Sequence, residues 1–299
     1  MIGKIATFCK NLLDWFKSDR CFVSNFIKAF PFANDLMLLT LLILSIFIIS
    51  IYMIISSQTG INTGFSLLVI ILLSSAFASG IFYTIKTNLD ESAATKVKDN
   101  EETKINIKKS FAVFYSGIGE HYLTFVFAFV IFFTLASLVI LGTIFFVNKF
   151  LFPIASVGEN LADFFAILAY PSQTDGILQN LDEAQKVNLR MWCRSFLVTT
   201  QTFTFLIMLW IPEMLYSKKN AFVSLFRAIK KVLSDFPNTL CIYLSIMFLN
   251  YIIALLFVLF GGISFINFIL NIASLYILIF NFYAIFIYYR NKYINEWVA

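Results

Sequence analysis

Charge is scarce in this chain. Only 13% of its residues are Asp, Glu, Lys or Arg, against roughly 25% in a soluble domain. No Asp, Glu, Lys, Arg or His occurs in the stretches 36–57, 65–85, 122–147, 195–211, 238–260 and 263–289. Ionisable side chains inside a membrane mark proton relays and ion coupling, so their lack counts against a pump or a proton-coupled carrier. The one histidine, His121 beside Glu120, cannot make a multi-histidine metal site and reads as interfacial. An intramembrane metalloprotease lacks its ligand set. Four cysteines (Cys9, Cys21, Cys193, Cys241) show no CxxC spacing, which leaves a disulfide framework and a zinc site without support. GxSxG, SxxK and GxxxxGK[ST] patterns are missing too, so serine-nucleophile and P-loop chemistry lack their starting residues. No basic tract interleaved with aromatics points to nucleic acid. The sequence predicts no catalytic residue, no metal, no cofactor and no enzymatic activity.

What is present is apolar sequence, 60% of the chain at a mean hydropathy of +0.85. About 20 residues of helix cross a bilayer core, and the six uncharged stretches match that length. The expected fold is all-α, a single polytopic membrane domain over 1–299 with six transmembrane helices. A cleavable signal peptide is not expected, because Lys4, Lys10, Asp14, Lys17, Asp19 and Arg20 crowd the first segment. Residues 1–20 read as a basic amphipathic helix with Trp15 at an interface.

The basic residues are placed unevenly. All but four of the 22 Lys and Arg fall in 1–35, 86–121, 213–236 and 290–299, the exceptions being Lys149, Lys186, Arg190 and Arg194. Basic loops stay cytoplasmic, so both termini and the loop 86–109 are expected inside, and the loop 148–194 outside. The polar segment 86–109 reads as a solvated loop or a partly helical one.

A short pattern recurs before the spans. Phe22-Val-Ser-Asn-Phe-Ile-Lys-Ala29 returns as Phe222-Val-Ser-Leu-Phe-Arg-Ala-Ile229, and more loosely as Phe111-Ala-Val-Phe-Tyr-Ser116. Three hairpin units are therefore expected, each opened by a cytoplasmic interfacial amphipathic helix. In the third such helix, residues 221–236, Phe222, Leu225, Phe226, Ile229, Val232 and Leu233 share a broad apolar face. Arg227, Lys230 and Lys231 take the other side, and with Lys28 they are the expected lipid-headgroup contacts.

Uncharged polar residues inside the spans give a second set of candidates. Asn267, Asn271, Ser274 and Asn281 project at about 0°, 40°, −20° and −40° on a helical wheel, one narrow stripe. Asn250 stands where it can face them. Such side chains either bond helices together or form a polar path or a lipid-headgroup site. Span four is rich in Thr, and Ser75-xxx-Ser79 with Ala76-xxx-Gly80 mark a close-packing face. Tyr288, Tyr289 and Tyr293 read as members of an aromatic belt.

The repeated motif before hydrophobic hairpins resembles uncharacterised bacterial inner-membrane families with six spans. They are similar to the membrane region ahead of some glycerophosphodiester phosphodiesterases. The resemblance is one of layout over nearly the whole chain, and it brings no catalytic residue with it. It implies a role in the envelope or in lipid homeostasis. Two functions are expected from all this. One is membrane structuring, through contact with lipids (anionic inner-leaflet lipids among them) or with other membrane proteins. The other is passage of a neutral or apolar solute along the Asn stripe.

Overall fold

The computed structural model describes residues 28–29, 32, 36–59, 63–96, 107–151 and 183–294. Among them every regular element is helical: α1 (Leu36–Thr59), α2 (Thr63–Lys96), α3 (Ile107–Phe146, continued by a π-helical turn Val147–Leu151), α4 (Glu183–Ile207), α5 (Trp210–Ser217), α6 (Ala221–Ser234), α7 (Phe236–Phe260) and α8 (Ser264–Tyr293). Six segments are long and apolar enough to cross a membrane: Leu36–Thr59, Gly64–Ser92, Phe111–Lys149, Arg190–Ser217, Phe236–Phe260 and Ser264–Tyr293. Their surfaces carry large apolar side chains that water would not tolerate over so wide an area. Val258 is 85% exposed, and Phe248, Phe265 and Phe268 all stand open.

The chain divides into two compact units, Met1–Val130 with Ile207–Ala299, and Ile131–Leu206. In the first unit, α1 and α2 lie side by side, with the Ser56 and Ser66 hydroxyls in contact. A close approach between α2 and the start of α3 depends on glycine. A Cβ on Gly117 would sit 2.6 Å from Tyr83 Cβ and 3.0 Å from the Ser79 carbonyl oxygen, and one on Gly80 would sit 2.4 Å from the Phe114 ring. Ser75 and Ser79 are fully buried, each hydroxyl bonded to a carbonyl of its own helix. The α7 and α8 helices meet at the turn Gly261-Gly262, where Ile263 N donates to the Phe260 carbonyl at 3.1 Å. The core gathers toward the far end of α8, where Ile279, Tyr283, Ala284, Phe286, Ile287, Tyr288 and Tyr289 are all buried. Phe82 of α2 stacks on Phe125 and Phe286 and meets Phe282 edge-on.

The second unit holds the rest of α3, the π-helical turn and most of α4. The Phe132 and Phe203 rings lie 5.8 Å apart, and the buried Trp192 stacks on Phe196 at 6.1 Å. The α4 threonines turn inward on their own backbone. Thr199, Thr202 and Thr204 donate to the carbonyls of Ser195, Val198 and Thr200 at 2.8–3.0 Å.

Several boundaries differ from the sequence-based expectation. The polar stretch after Ile85 begins as helix, since α2 continues to Lys96 with Leu89 buried. The middle copy of the repeated motif is not a separate surface helix; 111–118 forms the first turns of the continuous α3. Neither Gly117 nor Gly119 breaks it, since glycine in a helix interior costs only about 1 kcal/mol and packing on α2 offsets that. The fourth apolar stretch is interrupted by a turn over 208–209, after which α5 carries Pro212 near its start, where a proline is tolerated. Residues 1–27, 97–106 and 152–182 lie outside the described residues, and with them the N-terminal amphipathic helix, most of Phe22–Ala29 and most of the 148–194 loop.

Candidate functional site: a carboxylate clamp around the end of α8

The last turns of α8 read Tyr288-Tyr289-Arg290-Asn291-Lys292-Tyr293. Consecutive helix positions point about 100° apart, so three adjacent residues reach three different neighbours. Tyr288 donates to Asp235 Oδ2 at 2.5 Å. Tyr289 donates to Glu213 Oε2 at 2.5 Å. Arg290 brings Nε within 3.4 Å of Asp90 Oδ1, and its Nη1 donates to the Leu89 carbonyl at 2.5 Å. Asp90 belongs to α2, Glu213 to α5, and Asp235 to the break between α6 and α7. One helix end thus gathers three carboxylates from three separate places in the chain.

Glu213 is the most enclosed of the three, 1% exposed on a short helix whose Trp210, Met214 and Leu215 are also buried. Its Oε2 accepts a second bond from Lys231 Nζ at 2.6 Å, and Lys231 Nζ lies 2.6 Å from the Tyr289 hydroxyl. The protons can be placed in one consistent way: the ammonium donates to both oxygens, and the phenol donates to the carboxylate. The ammonium also lies 4.5 Å and 4.6 Å from the ring centres of Tyr289 and Tyr293, close enough for attraction to the ring faces. Tyr293 donates to the Lys231 carbonyl at 3.2 Å. Tyr216 stacks on Tyr289 at 5.6 Å and donates to Asp90 at 3.3 Å. Asp235 also accepts from Asn238 at 2.8 Å and lies 3.9 Å from Lys292. A carboxylate as enclosed as Glu213 is tolerated when paired and hydrogen-bonded, and each of the three carboxylates has both kinds of partner.

The clamp fixes how α6 is presented. Asn220 caps the helix by accepting from Val223 N at 2.9 Å, and Trp210 Nε1 donates to the Ala221 carbonyl at 2.8 Å. Ala221, Ser224, Leu225, Ala228 and Val232 form the buried face; the small residues among them allow α5 to come close. The broad apolar face expected from the sequence is therefore split. Leu225 and Val232 are inside, whereas Phe222, Phe226 and Leu233 are 56–57% exposed, with the first two rings packed edge-on at 4.9 Å. Next to this outward apolar stripe run Arg227, Lys230 and Ser234, all exposed.

The expected site residues thus separate. Arg227 and Lys230 stand outside, Lys28 is half-buried, and Lys231 is drawn into the clamp with 28% of its side chain exposed. Of the polar stripe, Asn281 Nδ2 donates to Asn250 Oδ1 at 3.3 Å, joining α8 to α7. The Asn281 Oδ1 atom is buried and has no bonding partner among the described residues. Asn271 is exposed and donates to the carbonyl and side-chain oxygens of Asn267, one turn back. Ser274 donates to the Asn271 carbonyl at 2.7 Å. Sequence reasoning missed the clamp, having read Tyr288, Tyr289 and Tyr293 as belt residues. The available signal was three acids, Asp90, Glu213 and Asp235, each set against an apolar run where an unpaired charge is costly.

These features define the class: among the described residues the protein is all-helical, with six helices long and apolar enough to span a membrane, the arrangement of a multi-pass membrane protein. Comparison with protein families, with curated proteins and with solved structures found no match.

Proposed function

We propose that this is a non-enzymatic protein of a bacterial cytoplasmic membrane, with both termini inside, that structures the membrane through contact with the inner leaflet. One observation carries this reading. α6 is clamped to the bundle through Lys231 and Asp235 while Phe222, Phe226 and Leu233 remain exposed beside Arg227 and Lys230. A helix with one apolar and one basic outward stripe sits at the boundary between acyl chains and headgroups, and the long basic side chains can snorkel from there to water. The uneven distribution of Lys and Arg supports the cytoplasmic assignment for this end. The test is a nitroxide placed singly at Phe226→Cys or Ser234→Cys, in a chain whose native cysteines are replaced, reconstituted in vesicles. The expected result is oxygen-accessible, chelate-protected label at 226 and the reverse at 234. Equal exposure of both sites to a water-soluble relaxant overturns the reading.

A second reading, passage of a neutral solute along the Asn stripe, draws support from the buried, unpartnered Asn281 Oδ1. It requires that Asn267, Asn271 and Asn281 changed to Leu leave a folded protein without flux.

A further inference from the structure

Three acids at this end of the protein are tied down, while four of its cations form no ion pair among the described residues. Asp90, Glu213 and Asp235 are each held by the α8 residues described above. Lys218, Lys219, Arg227 and Lys230 are exposed and form no ion pair among the described residues. The chain between Glu213 and Asp235 contains no acid at all. Lys218, with φ 50°, caps α5 in the left-handed region, and together with Lys219 and Asn220 it forms the exposed link into α6. Lys218 and Lys219 thus precede the N-terminus of α6, while Arg227 and Lys230 run along its polar flank. The positive charge adjoins the exposed Phe222–Phe226 pair. That side-by-side order, apolar then basic, is complementary to one occupant, a leaflet of anionic lipid: acyl chains against the rings, phosphates against the cations.

Resting on the proposed function above, we infer that Lys218, Lys219, Arg227 and Lys230 select anionic phospholipids for the annulus of the protein, with Phe222, Phe226 and Leu233 inserted among their acyl chains. Selection works through net charge, because the four side chains are solvated and none is held in a fixed fork by a neighbour. Each basic residue near a charged leaflet contributes about 1 kcal/mol at low salt, which corresponds to about a fivefold change in affinity.

The experiment uses the full-length protein in phosphatidylcholine vesicles containing spin-labelled phosphatidylglycerol or spin-labelled phosphatidylcholine, and reads the motionally restricted fraction of each. The wild type is expected to prefer the anionic lipid about fivefold or more at low salt, with the preference falling as salt is raised. The Lys218→Gln/Lys219→Gln/Arg227→Gln/Lys230→Gln protein is expected to lose the preference. An Arg227→Lys protein is expected to keep it, since charge and not fork geometry is used. All these side chains are exposed, and an unchanged unfolding transition shows that the variants remain folded. An absent preference in the wild type, or an undiminished one in the quadruple variant, overturns the inference. The nitroxide at position 226 tells the two failures apart. A label still in the bilayer with no anionic preference sinks the lipid selectivity alone. A label in water sinks the proposed function as well.

Discussion

Lys231 on α6 reaches Glu213 on α5 at 2.6 Å, and Tyr289 of α8 bonds to both. The neighbouring Lys230 is exposed and makes no such contact. Two adjacent lysines, alike in sequence, therefore have different work: one fastens the helix and the other faces outward.

That difference is measurable as stability. Lys231→Met should lower the free energy of unfolding by about 2–3 kcal/mol, since it leaves the buried Glu213 without its cation. Lys230→Met should stay within about 0.5 kcal/mol of the wild type. Denaturant titration of the detergent-solubilised protein, followed by tryptophan fluorescence, makes the comparison. Equal effects at the two positions contradict the clamp.

The three carboxylates should rank by burial. Side-chain exposure is 2% for Glu213, 16% for Asp235 and 42% for Asp90. Glu213→Ala is expected to cost about 3 kcal/mol and Asp90→Ala about 1 kcal/mol or less, with Asp235→Ala between them. In a double-mutant cycle, Glu213→Ala with Lys231→Met should cost less than the sum of the singles, because the second change removes an already orphaned partner.

Glycine substitutions should separate the tight crossing from open helix surface. Gly117→Ala places a methyl group against Tyr83 Cβ and the Ser79 carbonyl, where no flexible side-chain end can give way. A loss of about 1–3 kcal/mol is expected. Gly119→Ala meets nothing within 4 Å and should be neutral or stabilising by up to about 1 kcal/mol through helix propensity. Thermal unfolding of the two variants side by side tests this; the reverse order would mean that α2 and α3 do not cross at Gly117.

The asparagines should also differ. Asn250→Leu breaks the bond to Asn281 and leaves that buried amide wholly unpaired, for a loss of about 0.6–1.7 kcal/mol. Asn271→Leu removes only bonds within one turn of α8 from an exposed position and should change stability by less than about 0.5 kcal/mol. Unfolding midpoints of the two proteins decide the matter. A large effect at Asn271 would show that this face is covered.

Much of the architecture was legible in the sequence because a membrane-crossing helix is a local object. About 20 uncharged residues satisfy their own backbone, and the six such stretches are helical over nearly all their length, the fourth being interrupted by a turn at 208–209. The turn at Gly261-Gly262 and the helix Ala221–Ser234 were equally local, the one marked by glycine, the other by its apolar and basic spacing. Composition also determined that charge would be confined to the ends of the spans. The tertiary structure alone decided which charges pair. Asp90 and Arg290 are far apart along the chain, and so are Glu213 and Tyr289, and no periodicity links residues brought together only by helix packing. The choice between Lys230 and Lys231 has the same origin. They differ by about 100° around α6, and which one turns inward depends on how Ala221, Ser224 and Ala228 seat that helix on α5.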